Sequence, residues 1–394
     1  MKDLFAQRRT LVLKRGKERV AANRHPWIFA GAIHSERGPE DAAIADLVDS
    51  EGAYIASGFY SRTSQIRLRA LTFGDEQLTP ETIETRVRNA IARRRAIFAD
   101  DSTNCARIVH AEGDDLSSLI VDRYDDVLVI EIANRGVEAI KPLLVDVLQR
   151  ELQPRAIFFK NDLPLRKTED LPTEDVWAPN DSAGAVRVRE SGLQFHVDPA
   201  EGQKTGFFLD QRENRRLAQT LASGRRVLNL FSYTGGFGVY AAAGGATSVT
   251  NVDISARAID VARENHALNG FADAQHIVAD AFQYVRQSRD TFDFLVCDPP
   301  AFAKSRNEVD RAARGYKDVN LFAMRMLAPG GQMMTFSCSG HMSLDLFQKI
   351  IFAAALDAGR RISIVKRLTA GPDHPVSIYC PEGEYLKGFL LEIH

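Results

Sequence analysis

The sequence predicts an α/β chain whose second half is a parallel sheet with helices on both faces, preceded by a small β-rich domain and a central α+β domain. Three observations predict this. From residue 227, strand-like and helix-like runs alternate: Val227-Leu-Asn-Leu-Phe, a glycine-rich turn, an Ala241-rich helix, then Ser248-Val-Thr-Asn-Val-Asp. Repeated βα units of this kind build parallel sheets, with ligands bound beyond the carboxyl ends of the strands. Near the N-terminus, Gln65-Ile-Arg-Leu-Arg-Ala-Leu alternates apolar and basic residues, the period of a half-buried strand. A length of 394 residues also exceeds the ~250–300 that a single core sustains.

Residues 1–75 form the first domain. Tyr54-Ile-Ala-Ser-Gly-Phe-Tyr, which follows Gly52 and contains Gly58, reads as a strand. Eight cations (Lys2, Arg8, Arg9, Lys14, Arg15, Lys17, Arg19, Arg24) crowd residues 1–24, and Arg62, Arg67 and Arg69 follow. A module with one basic face is expected, although charge runs are as often plain solvated surface. Residues 76–184 form the central domain. Thr79 and Pro80 open a helix reaching about Phe98. Strands follow at Ala106-Arg-Ile-Val-His, Leu119-Ile-Val-Asp and Val127-Leu-Val-Ile-Glu-Ile, then a helix near 136–151 and a strand at Ala156-Ile-Phe-Phe. Residues 164–184, with three prolines, read as a linker. In the third domain, 185–394, Ser255 caps a helix ending at Gly270. Strand 275–279, helix 281–288, strand 293–297, helix 315–327, strand 332–337, helix 344–358 and two closing strands complete the series.

The composition excludes several classes. Lys+Arg 50 against Asp+Glu 52 leaves a net charge of -2, which gives no global basic field. Apolar runs stop well short of the ~18 residues of a membrane helix. The N-terminus has no apolar core of a signal peptide. Cys105, Cys297, Cys338 and Cys380 show no paired spacing, so free thiols in a reducing, cytoplasmic setting are expected. The nine histidines show no ligand spacing, and no metal is expected.

The ligand is read from the strand ends. Phe231-Ser-Tyr-Thr-Gly-Gly-Phe-Gly places glycines where backbone passes close to a bound group, without the G-x-G-x-x-G spacing of dinucleotide binders. Asp253 ends the next strand, placed for ribose hydroxyls. Asp280, with Ala281 and Phe282, is placed for an adenine. Asp298 ends the fourth strand within Cys297-Asp298-Pro299-Pro300. Acids at three successive strand ends favour a nucleoside with a cationic tail, S-adenosylmethionine. The competing reading is that each Asp only caps the helix after it.

Residues 200–394 resemble the class I S-adenosylmethionine-dependent methyltransferases. Thr205-Gly-Phe-Phe-Leu-Asp-Gln-Arg, Leu230-Phe-Ser-Tyr-Thr-Gly-Gly-Phe, Asp298-Pro-Pro-Ala-Phe and Ser337-Cys-Ser-Gly are similar to the RlmI-type large-subunit (23S) ribosomal RNA 5-methylcytosine methyltransferases. Lys14-Arg-Gly-Lys and His25-Pro-Trp-Ile-Phe carry the resemblance into the first domain. The resemblance implies a Rossmann-like methyltransferase domain preceded by a PUA domain and a central α+β domain. It implies S-adenosylmethionine held by Phe208, Gln211, Tyr233, Thr234, Gly235, Asp253, Ile254, Asp280, Ala281 and Phe282, with residues 204–212 wrapping over it as a strand and turn. The implied partner is 23S ribosomal RNA, with no membrane, and a homodimer is left open.

Cys338 and Asp298 are the implied catalytic pair. Carbon 5 of cytosine is a poor nucleophile until a thiolate adds at carbon 6. Cys338 ends the strand Met333-Met-Thr-Phe-Ser, expected beside the strand bearing Asp298, whose carboxyl group would hold the base edge. Cys297 lies inside an apolar strand and Cys105 ahead of one, and both read as structural; Cys380 has no argued role. Asp298-Pro-Pro followed by Phe302 also resembles amino-group methyltransferases, so a purine (guanine) substrate with Cys338 incidental is the alternative. Lys304, Arg306, Arg311, Arg314 and Lys317 are placed to grip phosphates, or to decorate a surface loop. A nicotinamide-dependent oxidoreductase is disfavoured by the absent glycine fingerprint, and a purely RNA-binding factor by the presence of Cys338 with the strand-end acids.

Overall fold

The computed structural model describes residues 2–178, 183–303 and 305–394. The chain divides into two compact units: residues 1–186, 197–207 and 372–383 form one, and residues 187–196, 208–371 and 384–394 the other. Lys304 and residues 179–182, the end of the expected linker, lie outside the described residues.

The first unit holds two sheets. After α1 (Lys2–Ala6) come β1 (Arg8–Leu13), α2 (Glu18–Ala22), β2 (Trp27–Phe29), β3 (Ile33–Arg37), β4 (Ile44–Val48), β5 (Tyr54–Tyr60) and β6 (Ile66–Phe73), in the order β2-β6-β5-β4-β1-β3. α3 (Pro80–Arg93) follows, its first turn closed by reciprocal Thr79–Thr82 hydrogen bonds. It ends earlier than its sequence suggests because Arg95–Phe98 tighten into a 3₁₀ turn. The second sheet comprises β7 (Cys105–His110), β8 (Leu119–Tyr124), β9 (Val127–Ile132), then, after α4 (Arg135–Ala139) and α5 (Lys141–Leu152), β10 (Ala156–Phe159). The expected linker is partly regular: α6 (Pro164–Thr168) and β11 (Val176–Ala178), which pairs antiparallel with β10.

The basic face is neutralised in part. Arg8 pairs with Asp46 (2.8 Å), Arg9 and Arg67 with Glu36 (3.0 and 3.2 Å), and buried Arg69 with Glu169 (3.7 Å). The acids come from distant sequence, so the local charge run overstated the field. Arg15, Lys17, Arg19 and Arg24 remain exposed, with no carboxylate at salt-bridge distance among the described residues.

The second unit opens with the hairpin β12 (Val186–Glu190) and β13 (Leu193–Val197), then α7 (Arg212–Leu221). Alternating elements follow: β14 (Arg226–Leu230), α8 (Gly236–Ala243), β15 (Ser248–Asp253), α9 (Ala256–Leu268), β16 (Gln275–Val278), α10 (Ala281–Gln287), β17 (Phe292–Cys297), α11 (Val309–Arg325), β18 (Leu327–Ser337), α12 (Leu344–Ala358), β19 (Ile362–Leu368) and β20 (Lys387–Ile393). The sheet order is β16-β15-β14-β17-β18-β20-β19, with β20 antiparallel to both neighbours. The chain runs outward from β14 in one direction and then returns to its other side with β17. That reversal opens a crevice at the carboxyl ends of the central strands. Leu228, Leu230, Leu295, Met333 and Leu391, all at or below 1% exposure, fill the core beneath it. A buried ion pair, Arg215 with Glu190 (2.7 Å), to which the Tyr240 hydroxyl donates (3.0 Å), joins α7, α8 and the hairpin.

Candidate active site

The sheet order lays the loops along one edge in the sequence Asp280, Asp253, residues 231–235, Asp298, Cys338. The turn after β14 is strained: Phe231 (φ 56°) and Tyr233 (φ 47°) are left-handed without being glycine, and Gly235 (φ 79°) completes it. Each non-glycine residue held so costs of order 1–3 kcal/mol and persists only where its surroundings enforce it. Here the Tyr233 N–H donates to Asp253 Oδ2 (2.8 Å) and the Ser232 N–H to the Val252 carbonyl (3.0 Å). Ser232 Oγ and Thr234 Oγ1 are buried with no hydrogen-bond partner among the described residues, an incomplete polar lining that fits a bound polar ligand. The glycines also have a packing role. A Cβ on Gly235 would lie 2.9 Å from the Ala262 Cβ, and one on Gly238 2.3 Å from Asn251 Oδ1. They let α8 approach β15 and α9; no ligand is needed to explain them.

Each acid has a protein partner. Asp253 Oδ1 accepts from the Ser255 N–H (2.9 Å), and Asp280 Oδ1 caps α10 through the Gln283 N–H (2.9 Å). Capping is therefore real, and every carboxylate oxygen still has a second lone pair for a ligand. Ile254 is 71% exposed beside Asp253, an apolar surface in the same crevice. The half-buried Phe282 ring lies 6.1 Å from Phe231 and 5.7 Å from Phe302, and Ala281 is buried behind it.

Residues 204–212 contain no strand. Thr205 and Phe207 are held within the first unit, by Asp122 (2.5 Å) and the Tyr124 hydroxyl (3.2 Å), and Leu209–Gln211 make a 3₁₀ turn in the second. From that turn Phe208 stacks edgewise on Tyr233 (5.2 Å). Gln211 Nε2 donates to Asp298 Oδ2 (2.9 Å), and Gln211 Oε1 accepts from Asn214 (2.6 Å). Gln211 thus holds Asp298, which its place among the cofactor-binding positions did not foresee.

β17 and β18 are parallel neighbours in which Cys297 pairs with Thr335. Asp298 follows directly, half-buried, and Cys338 leaves β18 half-buried with Sγ 3.7 Å from the Pro299 carbonyl oxygen. Ser339 fixes the Cys338 loop: its Oγ accepts from the Ala303 N–H (3.3 Å) and lies 3.1 Å from the Tyr316 hydroxyl, while its carbonyl accepts from Lys387 Nζ (2.9 Å). Lys387 escaped sequence reasoning because a lone lysine before Gly-Phe-Leu-Leu carries no local signal. Cys297 is fully buried, and burial first, then Asp298, pushes its thiol well above the usual range. Cys105 and Cys380 are buried too. Phe302 is packed on Tyr316 (4.6 Å). Arg311 pairs with Glu308 (3.3 Å) and Lys317 with Asp357 (2.7 Å), leaving Arg306 and Arg314 exposed.

Among the described residues, one cluster has metal-ligand chemistry: His25, Cys380 and Glu382, with ligand atoms within 4.8 Å of one another. It is a hydrogen-bonded cluster. His25 Nδ1 accepts from the Trp27 N–H (3.0 Å), which leaves the ring proton on Nε2 facing Glu382 (3.3 Å). A protonated nitrogen cannot ligate, and burial pushes the Cys380 thiol up to about 12.

This sheet, with its strand-end acids and strained first turn, defines an S-adenosylmethionine-dependent methyltransferase. Residues 160–381 match that family and residues 11–73 a PUA-like domain. The ribosomal RNA large subunit methyltransferase I of Shewanella denitrificans is 42% identical over 390 residues, 97% of this chain and 98% of the relative. A solved structure from Streptococcus mutans, described as a SAM-dependent methyltransferase, superposes with a TM-score of 0.82 at 21% identity, over 97% of this chain and 99% of that one. SMU.776, a methyltransferase complexed with SAH, gives the same values. The chain belongs to the family of the ribosomal RNA large subunit methyltransferase I proteins. Its cofactor is S-adenosylmethionine, and no helix among the described residues is long and apolar enough to cross a membrane.

Proposed function

We propose that the protein methylates carbon 5 of a cytosine in 23S ribosomal RNA through a covalent adduct to Cys338. The ribosomal RNA substrate is taken from the name of its relatives, and it sets the work in the cytoplasm. The observation that carries the cytosine reading is Cys338 Sγ at 3.7 Å from the Pro299 carbonyl, next to Asp298, at the strand ends.

Phe208, Tyr233, Thr234, Gly235, Asp253, Ile254, Asp280, Ala281 and Phe282 would hold S-adenosylmethionine, with Gln211 reaching the site through Asp298. The cofactor supplies an electrophilic methyl group. The Cys338 thiolate adds to carbon 6 of the extruded base, forming an S–C6 bond and raising electron density at carbon 5. Asp298 would hold the N3 and amino edge, donating a carboxyl proton to N3 and so offsetting the negative charge that develops there. Once carbon 5 carries the methyl group, loss of its proton re-forms the C5–C6 double bond and expels Cys338.

Cys338→Ala, assayed with tritiated donor on protein-free ribosomal RNA, should lose methylation. Full activity would remove the covalent mechanism and promote a purine substrate. Asp298→Ala should abolish turnover while leaving cofactor affinity within roughly tenfold, about 1.4 kcal/mol.

A further inference from the structure

We infer that Lys387 is a positioning residue that holds Cys338 as its thiolate. The inference rests on the covalent reading above and identifies the cation that such a nucleophile requires.

Lys387 opens β20 and pairs in register with Ser337, the residue before Cys338. Its Nζ donates to the carbonyl of Ser339, the residue after Cys338, at 2.9 Å. The residue is therefore tied to both neighbours of Cys338, by its backbone to Ser337 and by its ammonium to Ser339. The close approach of the strands has a cause: a Cβ on Gly388, the next residue, would lie 2.4 Å from the Phe336 ring, so β20 lies flush on β18 there.

Lys387 is only 5% exposed. An ammonium has three N–H donors, and the Ser339 carbonyl takes one. No carboxylate is within salt-bridge distance of Lys387 among the described residues, and the acid that acts on it electrostatically, Glu384, is exposed. A buried ammonium without a fixed counter-ion is costly, and a thiolate at Cys338 supplies one. Burial lowers the Lys387 pKa, and Glu384 and Cys338 oppose that shift. By reciprocity the ammonium favours the thiolate. Among the described residues, the titratable groups facing Cys338 also include the Tyr316 phenol, which burial and then Cys338 raise, and Asp298, one residue before the carbonyl to which the thiol donates. Among the described residues, Lys387 is the cation hydrogen-bonded to this loop.

The test is titration of the Cys338 thiol in the full-length apoprotein. Thiolate absorbance near 240 nm, wild type minus Cys338→Ala, should show a midpoint at least one pH unit below the ordinary cysteine value of ~8.5. A midpoint at or above that value overturns the inference, whatever any variant does. Lys387→Met should raise the midpoint by a unit or more and slow iodoacetamide labelling of Cys338 at pH 7 about tenfold, while Lys387→Arg should retain most of the shift. An unchanged midpoint in folded Lys387→Met also overturns it. The two readings fail separately. A depressed midpoint with active Cys338→Ala leaves the ion pair and removes covalent catalysis; an ordinary midpoint with inactive Cys338→Ala does the reverse.

Discussion

Gln211→Met separates two roles for one buried side chain. Gln211 is 2% exposed, donates to Asp298 Oδ2 at 2.9 Å and accepts from Asn214 at 2.6 Å. Methionine keeps the length and deletes both hydrogen bonds. Asn214 retains the Thr369 carbonyl (3.0 Å), so the loss falls on Asp298. A hydrogen bond to a charged group contributes about 1.5–3 kcal/mol. If it sets the orientation in which Asp298 meets the base, kcat/KM for RNA should fall roughly 10- to 150-fold. S-adenosylhomocysteine affinity, measured calorimetrically on the same preparation, should change less than about threefold, since only 1.4 kcal/mol separates tenfold steps. The assay is methyl transfer under limiting RNA. Affinity for S-adenosylhomocysteine falling by the same factor as kcat/KM would refute the reasoning and return Gln211 to the cofactor.

Three further outcomes follow from the same fold. Gly238→Ala places a methyl 2.3 Å from Asn251 Oδ1 and 2.9 Å from His266 Nε2, both on fully buried side chains; overpacking of this kind costs about 1–3 kcal/mol, visible as a lower Tm. Arg215→Met leaves Glu190, at 0% exposure, without its cation and with the Tyr240 hydroxyl as donor, a loss of about 3–5 kcal/mol, and the double variant with Glu190→Gln should lose less than the two singles summed. His266 is fully buried, and burial, then His276, lowers its pKa to about 3. The unfolded chain takes up that proton near pH 6.5 and the folded one does not. Stability should therefore fall with pH between 6.5 and 3, by about 1.4 kcal/mol per unit. Urea midpoints at pH 7 and 5.5 check this, and His266→Gln, which keeps an acceptor for Asn251, should flatten the difference.

What could be read in the sequence was local and periodic. The apolar runs ending in Asp253 and Asp298 mark strands and their carboxyl ends, because a strand period and a terminal acid are adjacent in sequence. The strain at Phe231 and Tyr233 was not legible: left-handed backbone is expected at glycine, and here Asp253 enforces it from the next strand. The packing constraint at Gly238 was not legible either, because the neighbour that imposes it, Asn251, lies on the next strand. The cations at Arg9, Arg67 and Arg69 looked like one field because Glu36 and Glu169, which neutralise them, lie far along the chain. β11 was hidden among prolines, its partner β10 supplying the pairing that its three residues could not signal.

The meeting of Cys338 with the Asp298 loop follows from register rather than from either motif alone. Cys297 is level with Thr335, so Asp298 is level with Phe336 and Cys338 lies two residues further out, about 7 Å at the rise of a strand. A strand continuing from Asp298 in ladder pairing would direct its N–H groups at the β18 backbone beside Cys338. Pro299 and Pro300 have none to offer, so pairing ends at Cys297, and what the loop presents to Cys338 is the Pro299 carbonyl oxygen. The two prolines thus keep the chain beside β18 while withdrawing its donors. Lys387, arriving from β20 on the opposite side of β18, supplies donors where β17 supplies none. The loop that carries Cys338 therefore meets an acceptor following one neighbouring strand and a cation from the other, an asymmetry that depends on β18 being interior to the sheet.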